Sequence, residues 1–349
     1  MSTVARQNPR PLLTALLCLA VWMPGRGAES PKPAAATVVC VQDPAAMESF
    51  HARAERVRAM VMRGITNLTG QPTPALAWRS LVSTQDVVGL KVFSTPGPNS
   101  GTRVCLAAAV IEGLLEAGVP PRQIVVWDRN AKDLRMAGFY DLADHYHIRV
   151  ESSTQAGWDP AVAYDTARIG SLVWGDVQFG QTGPGVGRKS FVSKLLTSDI
   201  TKIVNLSPLL NHNTAGVTGN LYSLALGSVD NIIRFENAPG ALASAVPEIY
   251  ALPALGDRVV LNITDALICQ YEGEDRGLLH YSTMLGQLRL SKDPVALDAL
   301  SVQELELQRQ LAKASPVHPD PELLNNAALL ELGVADLRKI EVRLLRMPP

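Results

Sequence analysis

Residues 87–127 constrain the fold most. The apolar run Val87–Phe93 (VVGLKVF) reads as a buried strand, followed by a loop, Ser94–Gly101, rich in Pro, Gly and Asn. A predicted helix over Val104–Ala117 is closed by Gly118 and Pro120, and Ile124–Trp127 is a second apolar strand ending at Asp128 and Arg129. Strand, turn-rich loop, helix, strand is a βαβ unit, and parallel strands need helices on both faces to exclude water. The expectation is an α/β fold: a single domain over residues 38–345, with a largely parallel sheet covered by helices on both faces. A chain of 349 residues with 47% hydrophobic content can fill such a core.

The remaining pattern extends this unit. Met47, Phe50, Val57, Met60 and Val61 recur at helical spacing and predict an amphipathic helix over Asp43–Gly64. Asp133–Asp144 reads as helical, His147–Val150 as a strand, and Tyr164–Gly187 as short strands and turns around Trp174. Ile203 and Val204 form an apolar strand that runs into a loop. Ala243–Ile249 is a predicted helix and Val259–Leu267 a strand ending at Asp265. Leu288–Leu290 reads as a last strand before Asp293-Pro294, an N-cap and first-turn pair opening a helix. A capped helix over Leu323–Leu332 closes the domain.

The first 28 residues read as a signal peptide. Arg6 and Arg10 precede the short apolar core Leu12–Trp22, and small, helix-breaking residues end at Ala28. That core falls short of the roughly 20 residues a membrane span needs. A Pro/Ala-rich spacer over residues 29–37 follows, and no second long apolar stretch occurs, so the mature chain is expected to be exported, periplasmic or secreted, with no membrane span. Residues 1–28 hold three arginines and no acids, so the formal charge of −1 becomes −4 without them. A mildly acidic chain has no electrostatic footprint for nucleic acid. Cys40, Cys105 and Cys269 are far apart and odd in number, so this chain alone builds neither an iron–sulfur cluster nor a four-cysteine zinc site.

Chemistry concentrates in two segments, ITKIVNLSPLLNHNTAGVTGN (200–220) and SKDPVALD (291–298). The first carries Lys202, Asn205, His212, Asn213, Thr218 and Asn220, more potential ligands than a connecting loop requires. Lys91, Asp128, Lys202 and Asp265 each sit on or at the end of an apolar strand, where a sheet would otherwise place Val or Ile. Such charges are costly unless paired or facing a cavity. They therefore predict either a structural ion pair, for instance Lys91 with Asp128, or a polar cleft for an anion or metal at the carboxyl ends of the strands. His212, between Asn211 and Asn213, is a candidate metal ligand or general base. Asp298 lies in a helix apolar nearly all round and must find a donor, cation or metal; Asp293 reads as a cap. GPGVGRKS (183–190) is no phosphate loop, because Arg188 stands where the glycine before Lys-Ser is required.

Taken as a set, these segments resemble the bacterial and archaeal family called domain of unknown function 362. The resemblance is carried by VVGLKV (87–92), IVVWDRN with DLRMAGF (124–139), the 201–220 segment, LGSVDNIIRF (226–235), LNITDAL (261–267), SKDPVALD and NNAALLELGV (325–334). Some relatives carry ferredoxin-type cysteine clusters, which are absent here. Leu221-Tyr222-Ser223 stands where relatives usually read Leu-Lys-Asn, and Glu236 where many have histidine. Two functions are expected from different classes. One is an exported enzyme whose strand-end crevice holds a metal ion, with His212 and Asp128 as ligands, or a small anionic substrate. There His212, Asp128 and Lys202 do the chemistry, and Lys91, Arg129, Asn205, Asn213, Thr218, Asn220, Asp293 and Asp298 bind. The other is a non-catalytic periplasmic binding or redox-accessory protein that docks an iron–sulfur partner through an exposed apolar patch.

Overall fold

The computed structural model describes residues 1–2, 36–236, 238, 240–316 and 321–348. The leader and spacer lie outside them, apart from Met1, Ser2, Ala36 and Thr37; the last two already belong to the first strand. From Ala36 onward the described residues form one compact unit.

Eight strands build the main sheet: β1 Ala36–Gln42, β2 Val88–Val92, β3 Ile124–Asp128, β4 Arg149–Ser152, β5 Lys202–His212, β6 Val259–Gln270, β7 Ser282–Ser291 and β8 Ile340–Arg346. Their order is β8-β1-β7-β6-β5-β2-β3-β4, with Gly216–Val217 folded back on the end of β5. Only β7 runs antiparallel to its neighbours β1 and β6 in this path; the other adjacent pairs are parallel. The chain steps outward from β2 to β3 to β4, then returns to lay β5 on the other side of β2. The β2/β5 boundary is thus the point where strand order reverses, and loops diverging there leave a crevice at the carboxyl ends.

The sheet is covered on both faces, as its apolar strands demand; every residue of β2 and β3 is buried. On one face, helices α1 (Ala54–Thr69) and α2 (Val104–Glu116) bring Val57, Met60, Ile65, Val110 and Leu114 against Leu90, Val126, Ile263 and Leu290. On the other, α3 (Asn220–Gly227), α4 (Ala241–Tyr250) and α6 (Glu322–Leu329) cover Val125, Trp127 and Ile203. Helix α5 (Pro294–Ala312) starts where expected, with the Asp293 carboxylate accepting the Ala296 N–H and Pro294 opening the helix.

Several expected elements are displaced for local reasons. The helix expected over 43–64 begins only at Ala54. Asp43 caps a short 3-10 turn, and the left-handed conformations of Ser49 and Phe50 reverse the chain between Met47–Glu48 and His51–Ala52. The helix expected over 133–144 is two, Ala131–Met136 and Phe139–Tyr146, parted at Gly138 with φ +90°. His147 is a left-handed helix end, so β4 starts at Arg149. β5 runs unbroken to His212, placing Asn205 and His212 on a strand rather than in a loop. The strand around 288–290 spans ten residues and is followed by β8. Cys40, Cys105 and Cys269 are all free thiols.

Helix α1 approaches the sheet at Gly64, where an added Cβ would stand 2.7 Å from Leu290 Cδ1 and 3.2 Å from Val41 Cγ2. Gly64→Leu is expected to lower unfolding free energy by about 1–3 kcal/mol through overpacking, read by urea denaturation. Unchanged stability would mean that α1 is free to lift off β1 and β7.

Candidate functional site

The centre of the site is an ion pair between neighbouring parallel strands. Lys91, on β2, is fully buried, and its Nζ lies 2.8 Å from Asp128 Oδ1 at the end of β3. The ammonium also donates to the Val92 carbonyl (2.6 Å) and to Ser223 Oγ on α3 (3.2 Å). Asp128 is equally saturated: Oδ1 accepts the Arg129 N–H, and Oδ2 accepts both the N–H and the hydroxyl of Ser94. Burial pushes the Lys91 ammonium pKa down and Asp128 pulls it back up. The pair needs room, and Gly227 supplies it: a Cβ there would stand 2.5 Å from Lys91 Cε. Of the two alternatives for Lys91 and Asp128, the ion pair is present, and its Asp128 half lines a cleft while Lys91 lies buried behind it.

That cleft, of about 230 Å³, opens above Asp128 and Ser223 at the carboxyl ends of β2 and β3. Phe93, Arg129, Tyr222 and Ile232 form its walls, and Glu236 and Asp275 stand at the rim. Arg129 directs its guanidinium away to the Leu226 and Val229 carbonyls and lies over the Trp158 ring, 5.4 Å from its centroid. The Tyr222 hydroxyl donates to Glu236 Oε1 at 2.9 Å, and burial is the main cause of its raised pKa. His212 borders the wall from behind, its ring 4.4 Å from that of Tyr222. Its Nδ1 accepts the N–H groups of Thr214 and Ala215, and burial lowers its pKa, which together assign a neutral ring with the proton on Nε2.

The other candidate residues lie elsewhere in the fold. Lys202 opens β5 opposite Val88, ten residues from His212 and so about 33 Å away along the strand; it does not join the cleft. Asn213 is exposed, its N–H donating to Glu274 and its Oδ1 accepting from Asn211. Asn205, Asn220 and Asp298 form a buried polar layer beneath α3 with Ser207, Asn262 and Thr264. Asn205 donates to the Asn220 carbonyl and to Asn262, Ser207 to Asn220 Oδ1, and Asn220 Nδ2 to Thr264. Asp298 caps α3 from another helix, accepting the N–H groups of Asn220 and Leu221 and the Asn220 amide. The Thr218 N–H bonds Leu210 O in the turn leading to that cap. Asp293 caps α5 and accepts the Val334 N–H, tying down the chain after α6. Asp265 holds the start of α2 through Arg103, at 2.8 Å.

Sequence reasoning did not assign roles to Ser94, Ser223 and Gly227, which complete the ion pair, or to Asn262 and Thr264. A signal for the last two exists: Asn205/Ser207 and Asn262/Thr264 are polar at alternate positions in apolar strands, and β5 and β6 pair them in register. The donor set does not suit a metal. Asp128 has its lone pairs taken by four donors, and among the described residues no group of three or more His, Cys, Asp or Glu could hold an ion.

Two energetic consequences follow. Lys91→Met strands a buried carboxylate and is expected to cost about 3–5 kcal/mol, with part recovered in Lys91→Met/Asp128→Asn; denaturant titration of both variants distinguishes this from simple additivity. Asp298 is fully enclosed and burial raises its pKa to about 6 from 3.8, despite the three donors that favour its charged form. A carboxyl held above its unfolded value stabilises the fold below pH 4 and loses that contribution as pH rises through 6. Asp298→Asn should therefore flatten the decline in stability between pH 4 and pH 7 by about 3 kcal/mol, read by urea unfolding at each pH.

The family described as "Domain of unknown function (DUF362)" matches residues 88–303, from the start of β2 into α5. The residue range of the family match includes Lys91, Asp128, Ser223 and Asp298. A solved Thermotoga maritima protein from a structural genomics programme is similar at 10% identity and a TM-score of 0.42, covering 76% of this chain. The alignment spans 60% of that structure's length. No curated protein matches the sequence. With well over half of its residues inside the family match, the chain belongs to the DUF362 family.

Proposed function

We propose that this is an exported enzyme that binds a small polar molecule in the strand-end cleft, with the reacting group of that molecule seated at Ser223. One observation carries the reading: a serine hydroxyl at the cleft floor, held by a buried lysine–aspartate pair on two adjacent strands. Lys91 donates to Ser223 Oγ, so the serine's own proton is the one left to meet a ligand. A positive charge held beside that oxygen in a dry site stabilises negative charge developing on it. A volume of about 230 Å³ suits a molecule well below drug size.

The charges favour a ligand carrying amino or hydroxyl groups over the anion expected from sequence. Lys91 is neutralised by Asp128 and Arg129 is engaged by carbonyls, whereas Glu236 and Asp275 face the entrance. Ser223→Ala should keep the fold and weaken ligand binding or turnover at least tenfold. Glu236→Gln should weaken binding of amines but not of neutral polyols. Calorimetry against a panel of small amines, polyols, carboxylates and phosphates checks both. Tight binding of a carboxylate or phosphate, indifferent to Glu236→Gln, would overturn the assignment.

A second reading, an accessory protein that docks an iron–sulfur partner, is favoured by the segment 166–188. There Ile169 (66%), Trp174 (87%) and Phe179 (50%) are exposed. The display is fixed: Asp176 accepts the N–H groups of Val173 and Asn231, and the Trp158 indole donates to Gly175 O. Trp174→Ala separates the readings, since it should leave small-molecule binding intact.

A further inference from the structure

Among the described residues the sheet ends on one side at β4, four residues long, and on the other at β8, seven residues long. An open edge of that length invites another strand, and proteins commonly blunt it with proline, lysine or a bulge. β8 (IEVRLLR) has none of these within its span and pairs with β1 in unbroken register over all seven residues. Its two faces differ. Ile340, Val342 and Leu344 lie on the side of the small core formed by Val38, Ala296 and Leu297, with Val342 and Leu344 still 48% and 47% exposed. Glu341 and Arg343 lie on the opposite side and bond only each other and Thr37 among the described residues.

We propose that β8 is a dimerisation edge, pairing antiparallel with β8 of a second copy of this chain about a twofold axis through Val342. The argument is self-complementarity. A twofold perpendicular to the sheet keeps like faces together, so only registers centred on a residue are available. Centring on Val342 sets Glu341 opposite Arg343 of the partner twice, Ile340 opposite Leu344 twice, and Val342 opposite itself. Centring on Glu341 or Arg343 instead places like charges face to face, which destabilises a cross-strand pair. Centring on Leu344 leaves Glu341 beyond reach of any cation in the partner strand. The favoured register also brings Arg338 opposite Arg346 at each end, a like-charge contact outside the paired strand residues that Asp336 offsets by holding Arg338 through two hydrogen bonds. The result is one continuous sheet across two molecules, with both strand-end clefts left open because β2 and β3 lie five or more strands from the junction.

The test is sedimentation velocity of the purified protein across a micromolar concentration series, with three charge variants. Wild type is expected to dimerise. Arg343→Glu and Glu341→Arg should each weaken dimerisation at least tenfold, by setting like charges opposite each other. The double exchange Glu341→Arg/Arg343→Glu should restore it, which a merely unfolded variant would not do. Val342→Cys should form an intermolecular disulfide under mild oxidation, because the two copies of that residue face each other across the axis. A wild type that stays monomeric, or single reversals that leave the dimer intact, would overturn the proposal. Failure of Val342→Cys to cross-link while the charge variants behave as expected would overturn the register.

Discussion

The architecture turns on the placement of two opposite charges inside a parallel sheet. Lys91 and Asp128 occupy adjacent strands where aliphatic side chains would pack at no electrostatic cost, and desolvating them is repaid only if every donor and acceptor is used. They are used: by the Val92 carbonyl, by Ser94 on the loop after β2, by the Arg129 N–H after β3, and by Ser223 on α3. Each partner belongs to a different element. Satisfying the pair thus pins the loop, the strand end and the helix in one arrangement, and their meeting point is the cleft.

A second buried polar layer holds α3 from below. The helix has no side-chain cap of its own; Gly219, at φ +40°, precedes it. Asp298 fills that role from α5, and Gly219 must lack a side chain because a Cβ would lie 2.4 Å from the carboxylate. The carboxylate at the helix start complements the partial positive charge there, and Asn205, Ser207 and Thr264 complete the lattice around Asn220. Tyr222 and Ser223, in the first turn of the helix, are thereby held in place relative to Asp128.

Much of this was legible in sequence. The βαβ unit, the parallel sheet, the Asp293-Pro294 helix start and the Lys91–Asp128 alternative all follow from local pattern. Long-range pairing was not legible. That Asp298 would cap a helix 78 positions earlier, or that Lys202 and His212 would lie at opposite ends of one strand, depends on β5 continuing through Pro208. A proline in mid-strand argues against continuation, yet here the register of β5 and β6 shifts after Pro208, between Asp265 and Cys269. β8 escaped notice because its charged residues face solvent at an edge, where alternation carries no burial signal. Ser223 stood in the sequence only as a departure from the family pattern; its contact with Lys91 gives that departure a chemical meaning.

The most direct test of the account is the ionisation state of Lys91, observed through its side-chain nitrogen and attached protons by NMR. The account requires an ammonium at neutral pH whose protons exchange slowly, shielded by Asp128, Val92 and Ser223, and whose signal moves in Ser223→Ala. A Lys91 amine that is neutral at pH 7, or an ammonium exchanging as freely as a surface lysine, would contradict it.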